Sequence, residues 1–76
     1  MKTKEFTLDG VTFALTTDHA ASSYGVPVLV DAAGNAFGTM DVVPGLALSA
    51  AEIAIKAYRR GMISREECLA FVPATL

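Results

Sequence analysis

Two alternating runs, Lys4-Glu5-Phe6-Thr7-Leu8 and Val11-Thr12-Phe13-Ala14-Leu15, flank the dipeptide Asp9-Gly10. Alternation of apolar and polar residues marks half-buried strands. Asp-Gly supplies the positive φ angles of a tight type I′ turn. A two-residue turn admits one register, with Leu8 opposite Val11 and Phe6 opposite Phe13. Directly opposed residues share a face of the hairpin. Phe6, Leu8, Val11, Phe13 and Leu15 therefore make one apolar face, and Glu5, Thr7, Thr12 and Ala14 make the other. A lone two-stranded hairpin is marginal in water, so the rest of the chain must cover that face.

The cover must come from few residues. The chain has 76 residues, 53% of them hydrophobic, but 13 of these are Ala. Surface scaling leaves roughly 4,450 Å² exposed and buries only about 60% of the unfolded surface. One domain over residues 1–76 with one thin core is the expectation. A multidomain enzyme, a disordered tail and a disulfide framework are excluded.

Downstream, Thr17 or Asp18 caps a single helical turn ending at Gly25, with Tyr24 packed at the core edge. Val26 to Val30 reads as a buried strand, with Pro27 near its start. Asp31-Ala32-Ala33-Gly34-Asn35 supplies a turn, and Ala36 to Thr39 a return strand, giving a second hairpin. Asp41 to Gly45 reads as a linker broken by Pro44-Gly45. Ser49-Ala50-Ala51-Glu52 and Ser64-Arg65-Glu66-Glu67 fit capping boxes. They predict helices from Ala50 to Arg60, stopped by Gly61, and from Arg65 to about Phe71. Ile53, Ala54, Ala57 and Tyr58 then face Cys68, Leu69 and Val72. The expected class is α+β: two antiparallel β-hairpins forming a small sheet, packed against a C-terminal helical hairpin.

Charge is unevenly placed. Net charge is −2, and no Lys or Arg lies between Glu5 and Ile55. That segment holds Glu5, Asp9, Asp18, Asp31, Asp41 and Glu52; the later cations cluster as Lys56, Arg59, Arg60 and Arg65, leaving Lys2 and Lys4 at the N-terminus. The chain is an acidic body with a basic corner. The single Cys68 forms no intramolecular disulfide, and the N-terminus lacks the apolar stretch of a secretory signal. Together these suggest a cytoplasmic protein with no membrane association.

Reactive constellations are weak. Cys68 falls in the apolar run Cys68-Leu69-Ala70-Phe71-Val72, where a thiol is structural by default, and nothing in sequence brings it to His19. Glu66 and Glu67 are adjacent, point apart and suit the first turn of a helix. Asp31, Asn35 and Asp41 lack the spacing of a calcium loop, and Gly34 to Gly38 matches no nucleotide fingerprint. No catalytic, cofactor or metal site is assigned, and no cofactor is expected. Arg59, Arg60 and Arg65 surround the joint of a helical hairpin, as in helix-turn-helix modules. Glu66 and Glu67, and an isoelectric point near 5.1, make direct nucleic-acid binding a secondary reading, of a DNA-binding transcriptional or antitoxin-type regulator.

In size, acidity and compact α+β plan the chain resembles the small acidic anti-defence proteins of bacteriophages and mobile elements, the anti-CRISPR type. The resemblance is one of composition and extends to no family motif. It implies a non-enzymatic, stoichiometric inhibitor that docks on a nucleic-acid-handling host complex through an acidic surface. Asp9, Asp18, Asp31 and Asp41 are the candidate contacts. Open strand edges in a small domain also suggest a homodimer.

Overall fold

The structure, a computed structural model, describes residues 3–73. Lys2, part of the N-terminal charge pattern, lies outside the described residues. Strands β1 (Thr3–Leu8) and β2 (Val11–Thr16) pair in the register set by the turn, Leu8 with Val11 and Phe6 with Phe13. Asp9 at φ 50° and Gly10 at φ 80° supply the two positive angles of the turn. Phe6, Leu8, Phe13 and Leu15 are buried, and the Phe6 and Phe13 rings lie 5.9 Å apart in a tilted pair. On the opposite face Thr16 is buried, and its hydroxyl is hydrogen-bonded to Thr3 Oγ1 at 2.7 Å and to the Asp18 N–H at 2.8 Å.

The second hairpin extends this sheet. β3 (Val28–Asp31) pairs antiparallel with β2, and β4 (Ala36–Phe37) pairs with β3, giving the order β1-β2-β3-β4. Leu29 sits opposite both Leu15 and Phe37 and joins the same apolar face. Pro27 is buried immediately before β3, where no ladder N–H is required of it.

Residues 17–27 form no helix. Nothing in Thr17-Asp18-His19-Ala20-Ala21 repeats at a helical period, and local hydrogen bonds offer the backbone other partners. The Ser22 N–H donates to the His19 carbonyl, and the Val26 N–H donates to the Ser23 carbonyl. Gly25, at φ 73°, is the second central residue of a tight Ser23–Val26 turn and not a helix terminator. Tyr24 is wholly exposed, not packed at the core edge. Val26 lies outside β3, bridged to Ser23.

The segment read as a linker is also structured. β5 (Val42–Val43) and β6 (Leu48–Ser49) make a separate two-stranded sheet around the Pro44–Ala47 loop. Pro44-Gly45 therefore turns a hairpin and does not separate two parts of the chain. β6 runs directly into α1 (Ala50–Arg59), followed by α2 (Arg65–Phe71). The Ala50 and Ala51 amides donate to the Asp41 and Thr39 carbonyls. Two of the unpaired donors at the start of α1 are thus used to anchor the preceding chain. Ser49 accepts from the Glu52 N–H, whereas Ser64 and Glu67 complete a reciprocal capping box. Past Arg60, Gly61 at φ 75° allows the Gly61 and Met62 amides to reach the Tyr58 and Ala57 carbonyls, a Schellman ending.

The architecture is α+β, with the helices on the apolar face of the sheet. Ile53, Ala54 and Ala57 of α1 are fully buried with Leu8, Leu15, Leu29 and Cys68, and Ile63, Phe71 and Val72 complete the layer. Tyr58 and Leu69 are half-buried. The accessible surface is 4384 Å², close to the value expected from chain mass. Leu29→Ala should lower stability by about 2–5 kcal/mol and Ser64→Ala by about 1 kcal/mol in urea denaturation. A smaller effect of Leu29→Ala than of Ser64→Ala would contradict this placement of the core.

Candidate functional site

The four acidic residues do not converge. Asp9 lies in the β1–β2 turn and Asp31 at the end of β3, opposite Phe13, so both lie toward one end of the sheet. Asp18 follows β2 and Asp41 follows β4, at the end where Thr16 pairs with Val28 and Phe37 with Leu29. Three of them have structural work. Arg60 Nη1 donates to Asp9 Oδ1 at 2.9 Å, tying the hairpin turn to the end of α1. Asp31 Oδ1 accepts the Ala33 and Asn35 amides, and its Oδ2 accepts Asn35 Nδ2, which closes the β3–β4 turn. Asp41 Oδ2 accepts the Gly38 N–H at 2.8 Å. Asp9, Asp18 and Asp41 are exposed and Asp31 is half-buried.

The surface at the Asp18 and Asp41 end has an apolar component that pattern reading missed. All the large hydrophobics left exposed among the described residues, Tyr24, Val26, Met40 and Val42, fall within residues 24–42. Tyr24 occupies the first central position of its turn at φ 54°, a conformation that costs a bulky residue on the order of 1 kcal/mol. Ser23-Tyr24-Gly25 carries the signal of a tight turn, and the chain forms that turn and not the expected helix end. Tyr24 enters β3 through Pro27, and Met40 stands in the Gly38–Asp41 turn that leaves β4. Because β3 and β4 are paired and antiparallel, the two turns emerge at the same end of the sheet.

Lys4 lies on β1 opposite Leu15, at the Asp18 end of the sheet, and the other described basic residues are on the helices. Lys56 and Arg59 are exposed on α1, Arg60 is engaged by Asp9, and Arg65 opens α2 beside exposed Glu66. α2 has seven residues, and Glu67 is committed to its cap. His19 is half-buried and not at a helix start: its Nδ1 accepts the Ala21 N–H at 3.0 Å and its Nε2 lies 3.3 Å from the Gly34 carbonyl. It links the loop after β2 to the β3–β4 turn. Cys68 is fully buried, 3.8 Å from the Ala54 carbonyl, and desolvation pushes its thiol pKa up. That disfavours the nucleophilic thiolate. No three acidic, His or Cys side chains gather as a metal cluster among the described residues. No helix among them is long and apolar enough to cross a membrane.

No protein-family model matches the chain, and no curated protein and no solved structure matches it either.

Two carboxyls link this surface to stability. The hydrogen bond and charge of Arg60 hold Asp9 below its ordinary value, and the Asn35 side chain and amide do the same for Asp31. A lowered folded-state value means the contribution is complete above the ordinary value of 3.8 and is lost as pH falls through the lowered one. Thermal unfolding should show Asp31→Asn starting below the native protein at neutral pH and losing less on acidification. Parallel acid profiles for the two proteins would remove the turn carboxylate from this account.

Proposed function

We propose that the protein is a non-enzymatic protein-binding module of the cytoplasm. In this reading it is a stoichiometric inhibitor of a nucleic-acid-handling defence complex, of the anti-CRISPR type. The observation that carries the reading is the separation of charge over the fold. No Lys or Arg lies between Glu5 and Ile55, so β2 to β6 contribute carboxylates and no cation. Among the described residues, Arg60 at the end of α1 pairs with Asp9, and Lys4 of β1 is the strand cation. A complex that handles nucleic acid must hold phosphates with Lys and Arg. An acidic surface of fixed shape is attracted to the same groove and blocks it without chemistry. Asp18 and Asp41 are the principal contacts; Asp31 lies toward the other end of the sheet, and Asp9 contributes less because Arg60 neutralises it.

Titration of the purified chain into a CRISPR effector complex, reading displacement of target DNA, tests this. The native protein should compete in a manner that weakens with salt. Asp18→Lys combined with Asp41→Lys should reduce binding by roughly tenfold with circular dichroism unchanged. Undiminished binding by that double variant would reject the electrostatic mechanism. Direct, steeply salt-dependent binding of DNA by the chain itself, lost on changing Arg59, Arg60 and Arg65, would establish the regulator reading instead.

A further inference from the structure

We propose that the groove between the β3–β4 turn and residues 43–45 is a binding site for a small organic amine, an ammonium group carried on an apolar body. The inference goes beyond the inhibitor reading and does not depend on it. The groove has a volume of about 490 Å³, the scale of a small-ligand site. Its walls are apolar: Val11 and buried Phe13 of β2, Phe37 of β4, and Val43 and Pro44 of the β5–β6 hairpin. Among the described residues, Asp31 is the one ionisable group that lines it. Asp31 stands directly opposite Phe13, and opposed residues share a face. β3 therefore puts a carboxylate on the apolar face of the sheet, two positions after fully buried Leu29, where alternation would place another apolar side chain.

The turn uses part of this carboxylate and leaves its charge unpaired. Oδ1 accepts the Ala33 and Asn35 amides, and Oδ2 accepts Asn35 Nδ2 at 3.1 Å. These fill three of the roughly four acceptor positions that a carboxylate has. Asn35 Oδ1 is a further acceptor on the side chain bound to Oδ2. No described Lys or Arg lines the groove. Hydrogen bonds from Asn35 and the turn amides hold the Asp31 carboxyl below its ordinary value, whereas Arg60 and Lys56 act on Asp9. Lys4 lies two strands away, opposite Leu15. An ionised carboxylate beside apolar walls favours a cation that donates hydrogen bonds, and an ammonium group does so. The apolar body then covers Val11, Phe37, Val43 and Pro44. A protein lysine would bring a hydrated peptide against those walls at a desolvation cost, so a free amine is the better occupant.

The test is titration of the native protein with phenethylamine through the millimolar range, followed by amide shifts. Saturable shifts should centre on Val11, on residues 31–37 and on residues 43–45. Phenethyl alcohol, matched in shape but uncharged, should bind about tenfold more weakly, and phenylacetate should leave those amides unmoved. Asp31→Asn keeps an acceptor for the turn amides. It should bind the amine about tenfold more weakly with circular dichroism unchanged. If that variant fails to fold, the three ligands compared on the native protein decide the matter alone. Equal binding of the amine and the alcohol, shifts mapped elsewhere, no saturable shift, or undiminished binding by folded Asp31→Asn would each overturn the proposal. So would tighter binding of Nα-acetyl-lysine amide than of phenethylamine, which would assign the groove to a protein side chain. The titration uses the chain without any effector complex, so its result stands apart from the inhibition assay.

Discussion

Everything in this molecule depends on one thin apolar layer, and alanine is what makes that layer close. The sheet offers Phe6, Leu8, Phe13, Leu15 and Leu29, and α1 answers with Ala50, Ile53, Ala54 and Ala57, all fully buried. Three of these four helical residues are Ala, so α1 presents little side-chain volume to the larger residues of the sheet. These three buried alanines are therefore a packing device. With them a chain of 76 residues closes a two-layer interior of buried side chains. Leu29 is central because it lies opposite Leu15 on one side and Phe37 on the other, joining the two hairpins beneath the helix.

A thin layer must be held at its margins, and polar bonds do this. Asp9 and Arg60 lie 51 positions apart in sequence and meet at 2.9 Å, which fixes the β1–β2 turn against the end of α1. At half exposure such a pair adds little free energy; its effect is geometric. At the other end of α1, the Ala50 and Ala51 amides bind the Asp41 and Thr39 carbonyls. The helix is thus attached at both ends to turns of the β layer.

What was legible in the sequence divides along the range of the interactions. The first hairpin could be read because Asp9-Gly10 and the alternating runs impose the same register, and both are local. The helices could be read for the same reason: Ser64 and Glu67 satisfy each other within one turn. Residues 17–27 were legible only in part: Ser23-Tyr24-Gly25 carries a local turn signal, but His19 reaches the Gly34 carbonyl fifteen positions away and no local period reports such a bond. β5 and β6 have two residues each, too few to show alternation, and their pairing is supported by the start of α1. The candidate site follows the same rule. Asp31 and Asp41 are occupied by amides within their own turns, as their residue type allows, whereas the pairing of Asp9 with Arg60, 51 positions away, has no local signal.

The turns divide their residues between holding the backbone and facing solvent. Short side chains can satisfy a turn's backbone without any core, and Ser22, Asp31 and Asp41 each do so here. A turn stabilised by its own polar side chain leaves its other residues uncommitted, and it is those residues, Tyr24 and Met40, that project most fully. Stability held in the buried core lets the fold carry a strained aromatic, Tyr24, on one of these turns.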